Sequence, residues 1–243
     1  MTKSFYSSPP RIALAIALLF LACSPTIAAD NKLSPEEEAA GWMLLFDGES
    51  LANWKNNNGQ PLAEGIVKDG AINTHGAGGY LLVYDKEFGD FEFACDVKLT
   101  PGECNSGVFV RVEDLADPVY SGLEVQIYSP PGSGLHDFGA IYDLVPPAFI
   151  ATREPGEWNN LRVRCEGPII SSFVNDQLVA ELNCDEFDKP GMRPDGTEHK
   201  FQRAIKDFAR KGYIGLQDHG NDVWFKNIKL RKLGNDEQSG TDR

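Results

Sequence analysis

Glu124, Gln126 and Tyr128 alternate with Leu123, Val125 and Ile127, so a strand through this run carries a carboxylate, an amide and a phenol on one face. The same parity sets Phe109 and Arg111 opposite Val108, Val110 and Val112, and sets Tyr213, Gln217 and His219 opposite Ile214 and Leu216. If these strands are neighbours, Arg111, Glu124, Gln126, Gln217 and His219 converge on one sheet surface. Carboxylates, amides and guanidinium groups hydrogen-bond directionally to hydroxyls, and aromatic faces pack on the apolar side of a pyranose ring. The set therefore fits a sugar. A plainer reading stands beside it: half the residues of a two-layer sandwich face solvent and are polar for that reason alone. Arg111 and Glu124 would then be an exposed cross-strand ion pair worth less than about 1 kcal/mol.

Other chemistries find little support. There is no GxSxG elbow, phosphate loop or HExxH helix, and no Cys/His spacing suggests zinc. The expectation is accordingly no metal and no cofactor. The 36 carboxylates against 23 Lys and Arg give a net charge of −13, which argues against nucleic acid or an anionic membrane as partner. His75 and His136 lie in Gly-containing loops and read as surface residues. Trp42, Trp54 and Trp158 read as core or edge packing, whereas Trp224, between Val223 and Phe225, has outward parity.

These residues need a frame of strands. From Trp42 onward, short alternating runs punctuated by Gly, Pro, Asn and Asp are the pattern of an all-β sandwich or barrel. Strands are expected over 43–46, 66–68, 71–73, 80–83, 91–99, 107–112, 122–128, 140–143, 159–166, 169–174, 177–182, 213–217 and 223–232. Asn175-Asp176 makes a tight hairpin turn, because both residue types tolerate positive φ. Ser34-Pro35-Glu36-Glu37 opens a short helix with a capping box. Phe201, Ile205 and Phe208 recur at helical spacing and predict a helix over 199–210.

Residues 1–29 read as a leader. Lys3 and Arg11 precede an apolar run from Ile12 to Cys23, and small residues up to Ala28 and Ala29 suit cleavage. The run is shorter than the about 20 residues a membrane-spanning helix needs. Phe20 and Leu21 argue against lipid anchoring at Cys23. The chain is thus expected to be exported, periplasmic or extracellular, with a β domain over 30–233 and a polar tail over 234–243. Cys95, Cys104, Cys165 and Cys184 then allow two disulfides, most simply Cys95–Cys104 and Cys165–Cys184. The alternative is that they pack as buried free thiols.

A series of blocks in fixed order resembles a known family. They are Leu45-Phe46-Asp47-Gly48 with Leu51 and Trp54; Gly89-Asp90-Phe91-Glu92-Phe93; Asn105 through Arg111; and Glu124-Val125-Gln126-Ile127. Then come Gly139-Ala140-Ile141-Tyr142; Pro155-Gly156-Glu157-Trp158-Asn159; Val174-Asn175; and Gly212 through Gly220, followed by Val223, Phe225, Asn227 and Ile228. This is similar to the exported bacterial 3-keto-disaccharide hydrolases, over about Gly41 to Leu233. The resemblance implies a two-sheet antiparallel jelly-roll sandwich of the concanavalin A-like lectin and glucanase type, active on glycosides oxidised at C3. A C3 ketone acidifies the C2 proton, so the glycosidic bond can break by elimination followed by addition of water. That chemistry needs a base, a donor for the enolate oxygen and an acid for the leaving oxygen. Matched to this sequence, it implies Glu124 or His219 as base and Arg111 as enolate stabiliser. Asn105, Gln126, Gln217 and Tyr142 would position a carbohydrate substrate, and Asp218 would orient His219 or the strand end. Residues 142–153 and 185–210 are longer than the family pattern leads one to expect, and both are placed to border the cleft.

Two rival readings use the same frame. One is a non-catalytic, lectin-like carbohydrate-binding module. The other is a two-carboxylate β-glucanase, which wants paired acids on one strand. The run from Glu124 to Tyr128 offers no second carboxylate, which demotes the glucanase.

Overall fold

The computed structural model describes Met1 and residues 29–234; the leader read over 1–29, Cys23 and the tail over 234–243 lie almost entirely outside them. The strands in chain order are β1 (Trp42–Leu44), β2 (Trp54–Asn56), β3 (Val67–Lys68), β4 (Ala71–Asn73), β5 (Leu81–Phe88), β6 (Phe91–Leu99) and β7 (Cys104–Val112). They continue with β8 (Leu123–Ser129), β9 (Trp158–Glu166), β10 (Ile169–Val174), β11 (Gln177–Asn183), β12 (Gly212–Gln217) and β13 (Val223–Lys232). Two short helices, α1 (Pro35–Ala39) and α2 (Pro118–Ser121), complete the set.

All pairing is antiparallel, in two sheets. The larger sheet runs β11-β10-β9-β6-β13-β4-β3 with β1 also on β13, and the smaller runs β2-β5-β12-β7-β8. One face of each sheet is apolar. Phe91, Phe93, Cys95, Val97 and Leu99 of β6 meet Val108 and Val110 of β7, Val125 and Ile127 of β8, and Ile214 and Leu216 of β12 in one core. This is the jelly-roll sandwich expected from the alternating runs.

Several expectations hold in detail. The Ser34 hydroxyl accepts from the Glu37 N–H at 3.2 Å, and the Glu37 carboxylate accepts from the Ser34 N–H at 2.9 Å, closing the capping box. Asn175 and Asp176 take φ of 49° and 65° in the β10–β11 turn. Others do not hold. Residues 199–210 form no α-helix; only Ile205–Asp207 is a 3₁₀ turn, flanked by extended backbone at Ala204 and Phe208. Phe201, Ile205 and Phe208 are all buried, so the apolar spacing was a core signal carried by an irregular segment. Residues 140–143 form no strand; Ile141 makes two isolated bridges, to Val125 along the edge of β8 and to Val145. The strand β2 and the turn of helix α2 were not anticipated. The two disulfides are not formed: Cys95, Cys104, Cys165 and Cys184 are free and buried. Cys95 lies on β6 and Cys104 on β7, in different sheets, and all four thiols pack as small apolar groups.

The parity argument breaks at Arg111. Against β12, Phe109 faces Gly215 and Val112 faces Tyr213, so three steps on β7 match two on β12. The extra residue is a β-bulge at Arg111, with φ of +52°. Beyond it the faces exchange: Val112 joins Phe109, Leu81 and Val83 on the outer side, and Arg111 turns inward. Gly212 makes room on β12, where a Cβ would stand 2.5 Å from the Arg111 carbonyl carbon.

Candidate active site

The outer face of the smaller sheet carries a cleft of about 220 Å³, lined by Tyr80, Asn105, Glu124, Gln126, Gln217 and His219 from the strand side, with Val119, Tyr120, Tyr142 and Lys200 opposite. Glu124 and Gln126 come from β8, Asn105 from β7, and Gln217 from β12, with His219 two residues past its end. Six of the seven residues singled out in the sequence therefore meet. The seventh does not. Arg111 is 2% exposed, and its guanidinium donates to Asp90 Oδ1 at 3.0 Å, in the turn that crosses from β5 to β6, and to the Gly167 carbonyl at 2.8 Å, in the β9–β10 hairpin turn. The bulge that turned it inward makes it a structural tie, which removes it as enolate stabiliser.

Glu124 is the centre of the cleft. It is 5% exposed, and its carboxylate lies across Gly107 of the neighbouring strand. Gln217 Nε2 donates to Glu124 Oε1 at 3.1 Å and to the Tyr80 hydroxyl at 2.6 Å. The Gln126 amide spans the gap between Asn105 Oδ1 (3.1 Å) and Glu124 Oε1 (3.0 Å). Its nitrogen belongs on the Glu124 side, where it also donates to the Ser106 carbonyl at 3.2 Å. Ser106 Oγ donates to the Gln217 carbonyl at 2.7 Å, fixing β7 against β12 beneath the site.

Electrostatics follow from this burial. Desolvation pushes the Glu124 carboxyl up to about 7, against smaller opposing effects of the Lys200 charge and the Gln217 hydrogen bond. Burial also raises the Tyr80 hydroxyl to about 12, helped by the Glu124 charge. Lys200 is held below its ordinary value by desolvation, with Glu124 and Asp143 pulling the other way. Its ammonium lies 4.5 Å from the Tyr142 ring centre and makes no ion pair among the described residues. A carboxyl that titrates near neutrality facing a half-buried ammonium is an arrangement suited to moving a proton and stabilising the anion that results.

Lys200 was missed as an individual residue. The signal was the long segment 185–210, which does border the cleft. Asp143 anchors it: the carboxylate accepts from the Lys200 N–H at 2.7 Å and from Arg193 Nη2 at 2.9 Å, with Asp143 itself at φ +60°. Tyr142 is set by its own N–H, which donates to the Glu124 carbonyl at 2.8 Å. His136 stacks behind it with ring centres 4.4 Å apart. Tyr80 carried no pattern beyond a strand start, and Tyr120 arrives on α2. Asp218 does not reach His219; it accepts from the Gly76 and Gly220 N–H groups at 2.8 and 2.9 Å and holds the 75–76 loop to the end of β12. Ile150, Thr152 and Arg153, at the far end of the 142–153 segment, line a separate cavity. Among the described residues no three His, Cys, Asp or Glu side chains gather as a metal site.

The model of the 3-keto-alpha-glucoside-1,2-lyase-like domain matches residues 41–231, a span that holds every residue lining this cleft. The chain belongs to that family. A 3-keto-disaccharide hydrolase from Bacteroides thetaiotaomicron is 25% identical over 81% of this chain and 80% of its own length. Two crystal structures from Parabacteroides distasonis, each described as a candidate glycosyl hydrolase, superpose with TM-score 0.69. One is 29% identical, covering 79% of this chain and 99% of its own; the other is 26% identical, covering 85% and 100%. For a member of the 3-keto-alpha-glucoside-1,2-lyase-like family, a glycosidase-type enzyme acting on carbohydrate is the family-level role. No helix among the described residues is long and apolar enough to cross a membrane.

Proposed function

We propose that the protein is an exported enzyme that cleaves the glycosidic bond of 3-keto-glycosides by removing the C2 proton. The observation that carries this reading is Glu124: a carboxylate buried in a polar cleft, titrating at about 7, with an ammonium across from it. A base of that strength is about half ionised at neutral pH and strong enough to take a proton made acidic by a neighbouring ketone.

Glu124 takes the C2 proton, and the electron pair moves to the C3 oxygen as an enolate. Lys200 replaces Arg111 as the cation beside that oxygen, in a site where little water competes. The enolate then expels the oxygen at C1, which leaves with a proton and gives a C1–C2 double bond conjugated to the ketone. His219 stands exposed at the rim, where the leaving group departs, and its imidazole is the group proposed to supply that proton. Water adding at C1, with a proton returned to C2, completes hydrolysis to the 3-keto sugar. Gln126, Asn105 and Gln217 present amides to the ring hydroxyls, and Tyr142 presents an aromatic face.

Product analysis tests the reading directly. The purified protein is incubated with a 3-keto-glucoside and, separately, with the same glucoside unoxidised. Cleavage of the keto form alone supports C2 proton chemistry. Cleavage of both, or glycan binding without cleavage of either, overturns it. Export is checked by N-terminal sequencing of protein recovered outside the cytoplasm, which is expected to begin at Ala29 or Asp30.

A further inference from the structure

The opposite side of the sandwich carries a second concave site that the proposed chemistry does not use. On the outer face of the larger sheet, Lys98 of β6 is in register with Trp158 of β9 on one side and with Trp224 of β13 on the other. Two strand spacings separate the backbone positions of the two tryptophans by about 10 Å. They border a hollow of about 310 Å³ that also takes in Lys68 and Lys226, with Asp30 and Asp69 as its carboxylates, so that lysines exceed aspartates by three to two.

Two features of this hollow point to its ligand. The first is unneutralised positive charge. Lys98 and Lys226 both stand over the Trp158 ring, 4.8 and 4.6 Å from its centre. Lys226 is paired with Asp30 at 2.7 Å, but Lys98 has no carboxylate partner among the described residues. On a chain of net charge −13, a lone ammonium beside a second one, in a concavity, is a local exception that an anion would complete. The second is the indole of Trp224. It is half-buried, and among the described residues its ring has no aromatic, cationic or hydrogen-bonded partner. A flat apolar face with a free N–H at a wet surface suits the face of a sugar ring and one of its hydroxyls.

We infer that the Trp158–Lys98–Trp224 row is a second carbohydrate-binding surface, for a glycan bearing carboxylates, distinct from the cleft around Glu124. A uronic acid chain supplies both requirements at once, a ring face for Trp224 and a carboxylate for Lys98. Because the row lies on the larger sheet and the cleft on the smaller one, the two sites are separated by the core. The protein could then hold an acidic polysaccharide on one side while the other side remains open.

The test is binding of polygalacturonate, with neutral dextran alongside, to the full chain and to Trp224→Ala, Lys98→Met and Glu124→Gln, each checked by its circular dichroism spectrum for an unaltered β fold. Lys98→Met keeps the aliphatic packing on Trp158 and removes only the charge. Polygalacturonate is expected to bind more tightly than dextran and more weakly as salt rises. Trp224→Ala and Lys98→Met are each expected to weaken it about tenfold or more, with Glu124→Gln indistinguishable from the parent. Absence of polygalacturonate binding overturns the inference. So does equal affinity for dextran, affinity unmoved by Trp224→Ala and Lys98→Met, or loss of binding in Glu124→Gln, which would place the glycan in the cleft.

Discussion

Glu124 lies across Gly107: a Cβ on that glycine would stand 2.4 Å from Glu124 Oε1 and 2.9 Å from its Cγ. The glycine in Asn105-Ser106-Gly107 is thus a matter of space, since any side chain there displaces the carboxylate. Gly107→Ala is expected to leave the fold intact and lower kcat by about tenfold or more, because small misplacement of a reacting group is costly. Steady-state kinetics beside a thermal melt distinguish this from simple unfolding.

The proton affinity of Glu124 sets the pH dependence. As a base it must be ionised, so kcat/KM is expected to rise with pH and level off above about 7. Gln217→Met removes a hydrogen bond that favours the charged form, and the acid limb is expected to move upward in pH. A limb that stays in place, or moves down, contradicts the assignment.

The same shift affects stability. Glu124 titrates at about 7 in the fold against 4.5 as the ordinary value, so the folded protein binds this proton more tightly than the unfolded chain. The contribution is fully present below 4.5 and is lost as pH rises through about 7. Glu124→Gln, which cannot ionise, is expected to gain on the order of 3 kcal/mol over wild type at pH 8 relative to pH 4. Melts at the two pH values are expected to differ in their wild-type-to-variant gap by several degrees.

Arg111 and Lys200 separate structure from chemistry. Arg111→Met leaves the Gly167 carbonyl without its donor and Asp90 with the Gly167 N–H alone, and a loss of about 2–4 kcal/mol in unfolding free energy is expected, with kcat/KM per folded molecule unchanged. Lys200→Met is expected to do the reverse, lowering kcat about 10²-fold with little change in stability. Denaturant titration and kinetics on both variants check the pair.

His219 is expected to matter in proportion to the leaving group. If it gives a proton to the departing oxygen, His219→Ala slows cleavage of an alkyl or sugar aglycone by about 10²-fold or more and leaves a nitrophenyl aglycone nearly unaffected. An equal loss for both would assign it another role.

Most of the fold was legible because the signal was strong: β6 follows a run from Phe91 to Leu99 whose alternation is unbroken, and β13 follows one interrupted at Asn227, where φ is +53°. The cleft was legible to the extent that Glu124, Gln126 and Gln217 sit on strands in regular register, where parity holds. Arg111 was misread because a single inserted residue at φ +52° reverses every face beyond it, and nothing in Val110-Arg111-Val112 announces a bulge. Lys200 and Tyr120 were beyond reach for a different reason. They arrive on irregular segments whose path is fixed by tertiary contacts, such as the Asp143 carboxylate on the Lys200 N–H, and not by any periodicity. Phe201, Ile205 and Phe208 show the converse: helical spacing arose from three separate insertions into the core.

The most direct test is turnover of a 3-keto-glucoside carrying either hydrogen or deuterium at C2, by wild type and by Glu124→Gln. The account predicts a primary isotope effect in the wild type and a rate at least about 10²-fold lower in the variant. Full turnover by Glu124→Gln would contradict it.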